Sequence, residues 1–423
     1  VWTRRFFLKA GGIAVASLGV GGSPDFLTRA AWAVEGNGSI AGARRKVLVT
    51  IFQRGAMDGL AAVPFLGGDV LRKLRPSIGP AFGRSQAASD EAVKDLGNGF
   101  GLHPALAPLL PFWKEGSLAI VHAVGSPDPT RSHFDAQDYM ESGTPGTKVT
   151  PSGWLNRAAG LLGHEATPWR AVAMTPALPR SLYGEVPAVA VTDLAQFRLS
   201  GGRPGGESAG GDFERLYDRA AQDLLRETGS ETFLAMKMLR ESGVDRYRPA
   251  AGADYPASPL GRSLRQIAAL IKADLGLEIA FAEAGGWDTH VAQGAANGTF
   301  ARRADDLARS IAAFWSDLGS LQERVVLATM TEFGRTVREN GTGGTDHGHG
   351  SCLFALGQKV AGGRVHGELR SLDVQALYEG RDLPVTTDFR SVFCALAGGH
   401  LGVTDDGKVF PGWSGKRLPL LRT

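Results

Sequence analysis

The chain reads as an α/β protein with a mostly parallel central sheet, and three observations say so. Short continuous apolar runs rich in β-branched residues, such as KVLVTIF at residues 46–52, have the composition of strands buried on both faces. Between them lie longer stretches with helical apolar spacing, the alternation expected of βα units. Polar loops follow the runs, and Asp, Glu and His recur in those loops, where open α/β sheets collect ligands. A hydrophobic content of 43% is ample for a core, and 423 residues fit one large domain with insertions.

The N-terminal segment is set apart from the rest. Thr3-Arg4-Arg5-Phe6-Phe7-Leu8-Lys9 has the pattern of a twin-arginine leader, followed by an apolar run over 10–20 and a small-x-small end at Ala31-Trp32-Ala33. Residues 1–33 are therefore expected to be a signal peptide cleaved after Ala33, with 34–423 as the mature domain. The apolar run is shorter than the ~20 residues a membrane span needs, and no later segment is long and apolar enough, so a soluble, exported protein is expected with no stable membrane insertion. The leader holds Arg4, Arg5, Lys9 and Arg29 against Asp25, which accounts for the whole formal charge of +3. A mature chain near neutrality argues against a nucleic-acid binder.

The first strand, 46–52, opens into QRGAMDGL, where Asp58 is either a metal-ligand candidate or the Asp of a DG turn. Residues 67–100 are polar and Gly-rich and read as a surface excursion. A helix is expected over 104–114 and a second strand over 117–124, the two strands and their crossover forming a βαβ unit. GSPDPTRSHFDAQDYMESG follows. Ser132 is placed to cap a helix, with Asp135 as its capping-box partner. A helix start just after a strand also suits an anion, which makes Ser132, Arg131 and His133 candidate catalytic residues.

Farther on, helices are expected over 153–162, 213–241 (broken near Gly229), 259–275, 299–321 and 388–397, and short strands over 170–174 and 188–191. SGGRPGGESAGG, at 200–211, reads as a flexible loop within an insertion spanning about 200–260. The third strand, 277–284, leads into GGWDTH. In extended chain, residues two apart face the same way, so Asp288 and His290 would present carboxylate and imidazole together. The fourth strand, 324–330, ends at TEFGRT, bringing in Glu332. TDHGHGS then supplies Asp346, His347 and His349 on a glycine-rich loop before a fifth strand at 352–356. Locally such a loop is as well read as a solvated turn, but Asp with His is the oxygen and nitrogen donor set of zinc and harder divalent cations. Cys352 and Cys394 sit in apolar contexts and read as buried free thiols, although an oxidising compartment would permit a disulfide.

Taken as an ordered set, QRGAMDGL, TRSHFDAQDYMESG, GGWDTHVAQ and TEFGRTVRENGTGGTDHGHGS resemble a twin-arginine-exported bacterial family of unknown function (domain of unknown function 1501), placed in the alkaline phosphatase and sulfatase superfamily. The resemblance runs from about Val47 to His366. It implies an alkaline-phosphatase-like α/β/α sandwich with metal ions at the carboxyl edge of the sheet and a hydroxyl nucleophile at a helix start. Residue by residue, it assigns Asp58, Asp288 and His290, and Asp346 with His347 as metal ligands, Ser132 as the nucleophile, and His349 as a residue behind the ligands. The chain departs from the superfamily pattern in three places. Its mid-chain pair is Asp288-x-His290 rather than Asp-x-x-x-His. Glu332, not Asp346, lies at the strand end. A far C-terminal His ligand has no clear match, leaving His366 and His400.

The activity so implied is an exported, metal-dependent hydrolase of phosphate or sulfate esters, acting through Ser132 or a metal-activated water on a small anionic ester. Zinc or manganese would be preferred, with magnesium or calcium as alternatives. The twin-arginine translocase would be its partner during export to the periplasm. The competing expectation is a non-catalytic periplasmic binding or assembly protein that keeps the fold.

Overall fold

The computed structural model describes residues 14–15, 45–79, 91–196, 234–369 and 371–422. The leader apart from Ala14–Val15, the glycine-rich run at 200–211 and residues 213–233 of the helix expected over 213–241 lie outside them, while 234–241 are helical as expected.

Strands β1 (Ala14–Val15), β2 (Val47–Gln53), β5 (Leu118–Gly125), β6 (Ala171–Ala173), β7 (Val189–Ala190), β8 (Ile279–Ala284), β9 (Val325–Thr331), β10 (Ser351–Leu356), β11 (Val365–His366) and β12 (Thr387–Asp388) form one sheet. Its order is β1-β7-β6-β8-β2-β9-β10-β5-β11, with β12 also on β5. The strands β3 (Lys94–Gly97) and β4 (Phe100–Leu102) form a separate hairpin within the excursion expected over 67–100.

The apolar runs are continuous because both faces of the sheet are covered. Along β2, Val47, Val49 and Ile51 enter the core beneath the helices Pro259–Lys272 and Thr299–Leu318, while Leu48 and Phe52 enter the core beneath Trp154–Gly160 and Phe389–Leu396. This is the three-layer α/β/α arrangement, and it explains why β2 lacks a polar alternation. The helices follow their sequence signals. Ser258 accepts the Gly261 amide at 3.0 Å ahead of Pro259, and the Thr299–Leu318 helix stops at Gly319.

Pairing departs from a simple series of βα units at one strand. β2 pairs in parallel with β8 and β9, but β10 runs antiparallel to both β9 and β5. β5 is thus parallel to β2 yet separated from it by two strands, so the first two long strands do not form adjacent members of a βαβ unit. The reversal fixes the site. Gln53 is in register with both Ala284 and Thr331, and Ser351, the first residue of β10, is in register with Val124. The 332–350 connection therefore leaves and re-enters the sheet at one edge, beside the ends of β2, β5 and β8.

Cys352 and Cys394 are both free and buried. No helix among the described residues is long and apolar enough to cross a membrane.

Candidate metal centre at the carboxyl edge

Four side chains from three loops converge at this edge. His133 is the first residue of the helix α1 (His133–Ser142), which starts after β5; Asp288 and His290 follow β8; His347 lies in the connection between β9 and β10. His347 Nε2 is 3.1 Å from His133 Nε2, 2.9 Å from His290 Nε2 and 3.4 Å from Asp288 Oδ1. Asp288 Oδ1 is also 3.1 Å from His290 Nε2 and 3.6 Å from His133 Nε2. With zinc–nitrogen bonds of ~2.0–2.1 Å, the edges of a tetrahedral donor set come to about 3.3 Å. The observed separations bracket that value, and the donors of His133, Asp288 and His347 alone could hold a metal ion.

Ring orientation supports the same reading. His347 Nδ1 lies 2.9 Å from the carbonyl of Arg131, and His290 Nδ1 lies 3.1 Å from Asp346 Oδ1. Those acceptors assign the proton to Nδ1 in both rings and leave the Nε2 lone pairs aimed at the common point. Burial lowers the pKa of His347 and keeps its ring in the neutral, ligating form. His133 Nδ1 faces Glu332 Oε1 at 3.7 Å, longer than a normal hydrogen bond. The Glu332 carboxylate facing the ring raises the His133 pKa above its ordinary value.

Glu332 and Asp346 thus stand behind the histidines. Glu332 is buried and accepts the amides of Gly55 at 2.9 Å and Ala56 at 2.7 Å, the Thr331 hydroxyl at 3.1 Å and Gln137 Nε2 at 2.8 Å. Burial pushes its pKa up, but the neighbouring His133 ring and these amides outweigh that, so it stays ionised. Asp346 accepts from Asn340 Nδ2 at 3.0 Å, and this bond, with His290, holds its carboxyl below the usual range.

Arg335, which the sequence did not single out, ties the loops together. Its guanidinium donates to the carbonyls of Gly55 (2.6 Å), Ala56 (2.8 Å), Trp287 (3.2 Å) and Thr345 (3.1 Å), and to Asp288 Oδ1. Partial burial raises the Asp288 pKa, and Arg335 more than reverses this. Glycines permit the close approach of these loops. Gly55 has φ +112°, and a Cβ there would lie 2.6 Å from the Asp288 amide nitrogen; a Cβ on Gly348 would lie 2.4 Å from the Arg335 carbonyl carbon.

Other sequence candidates lie elsewhere. Asp58 caps the short helix Gly59–Ala62 and is claimed by Arg75, at 2.7 and 3.1 Å, and by Gln293 at 2.8 Å, so its carboxylate faces away from the cluster into a buried pair. The His349 ring packs on Tyr378, with centroids 4.6 Å apart. His366 Nε2 reaches the Ala361 carbonyl at 2.9 Å and His400 Nε2 the Val47 carbonyl at 3.0 Å, both away from the edge. The Ser132 hydroxyl accepts the Asp135 amide at 3.5 Å as a helix cap, one residue before His133. The Arg131 guanidinium, a candidate for meeting an anion, turns to Asp382 and Glu379 and is already occupied by carboxylates. Gln137 and Glu141 continue the His133 face of α1 at the next two i+4 positions, and Glu141 meets Arg54 at 2.7 Å.

Fold and site together define an α/β protein carrying a His/Asp cluster at the carboxyl edge of its sheet. The chain belongs to the family described as protein of unknown function (DUF1501), whose model matches residues 117–412. No curated protein matches it. Among solved structures it is similar to the C-terminal periplasmic domain of EcEptC from Escherichia coli in complex with Zn. That likeness has 9% identity over 75% of this chain and 74% of the other, with a TM-score of 0.34. It is also similar to the PsFucS1 sulfatase from Pseudoalteromonas sp., at 13% identity over 86% of this chain and 70% of the other, with a TM-score of 0.36. Likenesses at these scores carry no inference about this chain, whose fold is given by its own sheet order and register.

Proposed function

We propose that His133, Asp288, His290 and His347 hold one divalent metal ion, zinc by preference, and that the protein is an exported hydrolase of phosphate or sulfate esters. The observation that carries this reading is the convergence of three imidazole Nε2 atoms and one carboxylate oxygen at 2.9–3.6 Å. Three nitrogens and one oxygen suit zinc, or manganese next, better than calcium or magnesium. Four protein donors fill a tetrahedral zinc site, so hydrolysis would need a fifth position or the release of one donor; with such a position open, a divalent ion there would acidify a bound water and neutralise charge on an ester oxygen. The protein's own part is to aim the rings, through Asp346, Glu332 and the Arg131 carbonyl, and to hold Asp288 in place through Arg335. Direct attack by water is favoured over a Ser132 ester, because the Ser132 hydroxyl serves the helix cap while the Asp288 side chain is 46% exposed. The N-terminal Thr3–Lys9 pattern supports export by the twin-arginine route, and a near-neutral mature chain supports a small anionic ester as substrate rather than a nucleic acid.

One observation favours a metal-free binding role instead: Arg335 already bonds Asp288 Oδ1 and comes within 3.5 Å of His290 Nε2. Elemental analysis of protein from its native compartment separates the two readings. About one metal per chain, with turnover of aryl phosphate monoesters, diesters or sulfates above a His347→Ala control, is expected. Metal content near zero and no turnover after reconstitution would leave the binding role.

A further inference from the structure

We propose that Asp382 is a positioning residue for His347, acting on it from two sides through two arginines; this rests on the metal-site reading above. The Asp382 side chain is 0% exposed, whereas Arg131 is 30% and Arg381 45% exposed, so the carboxylate is the fixed member of the group. Its Oδ2 accepts from Arg131 Nε at 3.1 Å, Arg131 Nη2 at 2.6 Å and Arg381 Nη2 at 3.2 Å, and its Oδ1 accepts from Arg381 Nε at 2.9 Å.

Each arginine then grips the same histidine. The Arg131 main-chain carbonyl accepts from His347 Nδ1 at 2.9 Å, and Arg381 Nη2 donates to the His347 carbonyl. One handle sets the ring's tautomer and tilt, the other the height of its backbone. Glu379 adds a second, exposed partner to Arg131 at 2.6 Å.

Asp382 is therefore what lets two like-charged guanidiniums sit side by side. Its neutral amide analogue would keep the shape and lose the charge, and the two cations would part. The neighbouring backbone reinforces the clamp: the Leu383 carbonyl accepts the Gly350 amide at 2.8 Å, pinning the far end of the His347 loop.

The test is zinc affinity, by competition with a chromophoric chelator, for the wild type, Asp382→Asn, His347→Ala and the double variant. Direct outer-shell partners of metal ligands typically contribute 10–100-fold, and Asp382 acts one contact farther out, so Asp382→Asn is expected to weaken zinc binding by about the lower end of that range, ~10-fold. In the His347→Ala background it should cause no further loss, because its target is gone. Cobalt(II) bound to Asp382→Asn should show shifted visible bands. A purely structural carboxylate would not do this: Asp317→Asn, which breaks another buried ion pair, should lower Tm and leave zinc affinity unchanged. Should Asp382→Asn fail to fold, Arg381→Gln removes only the exposed handle and is expected to weaken zinc several-fold. Unchanged affinity in the folded variant, or a full additive loss in the double, would overturn the proposal. Absence of zinc binding in the wild type itself would remove the metal reading, and this proposal with it.

Discussion

His290 Nε2 and His347 Nε2 face each other at 2.9 Å while the opposite nitrogen of each ring already has an acceptor, Asp346 for one and the Arg131 carbonyl for the other. Two lone pairs held face to face repel, and a shared cation turns that repulsion into attraction. Metal binding should therefore stabilise the fold. At free zinc about 100 times its Kd, the linkage amounts to ~2.7 kcal/mol. Chelation should lower Tm accordingly, and by less in His347→Ala, whose remaining donors hold the ion more weakly; a wild type indifferent to chelator would refute the site.

Asp58 tests the boundary of that site. Asp58 and Arg75 are each 1% exposed, and Arg75 also donates to the carbonyls of Val337 at 2.9 Å and Thr336 at 2.8 Å. Asp58→Ala strands a buried guanidinium, at a cost of roughly 3–5 kcal/mol. Urea unfolding should show that loss, while elemental analysis of the folded variant shows the wild-type metal content. A folded Asp58→Ala protein depleted of metal would return Asp58 to the ligand set.

That contrast shows what the sequence makes legible. Burial on both faces writes itself into β2, β5, β8 and β9 as mostly apolar runs without a polar alternation, and the loops after them carry WDTH and DHG where ligands gather. What a linear reading lacks is partnership at long range. Asp58 has the right place past the first strand, but only the fold reveals Arg75 turning it inward. Arg335 looks like any loop arginine until Gly55, Trp287 and Thr345 are brought around it. The antiparallel return of β10 depends on which edges remain free, and no local pattern records that. His133 is already a candidate in the sequence, and Gln137 is within reach of the same reading, since i and i+4 share a helix face: His133 joins the cluster and Gln137 donates to Glu332 behind it.

The glycines of the late loop should divide into two kinds. A Cβ on Gly348 meets the Arg335 backbone at 2.4 Å, where no side chain can yield. Gly348→Ala should therefore cost about 1–3 kcal/mol and shift His347 next to it, weakening metal binding. Gly343 has φ +67° and open space around its Cβ position. Gly343→Ala should cost only ~1 kcal/mol of backbone strain and leave metal affinity intact. Equal effects of the two on affinity, measured by chelator competition, would refute this account of the loop.

His400 offers a pH dependence well away from the metal ligands. Burial brings its pKa down to about 4, and its Nε2 lies 3.0 Å from the Val47 carbonyl, at the opposite end of β2 from the site. Because the folded value lies below the unfolded ~6.5, the unfolded chain takes up this proton first. Stability from this residue is full above pH 6.5 and is lost as pH falls toward 4, at about 1.4 kcal/mol per pH unit. Other groups titrate over the same range, so the measurable quantity is a difference. In chelated protein, the loss of unfolding free energy from pH 7 to pH 5 should be about 2 kcal/mol smaller for His400→Gln than for the wild type. Urea melts at the two pH values give that difference directly, and parallel losses in the two proteins would mean that His400 takes its proton in the fold as readily as in the open chain.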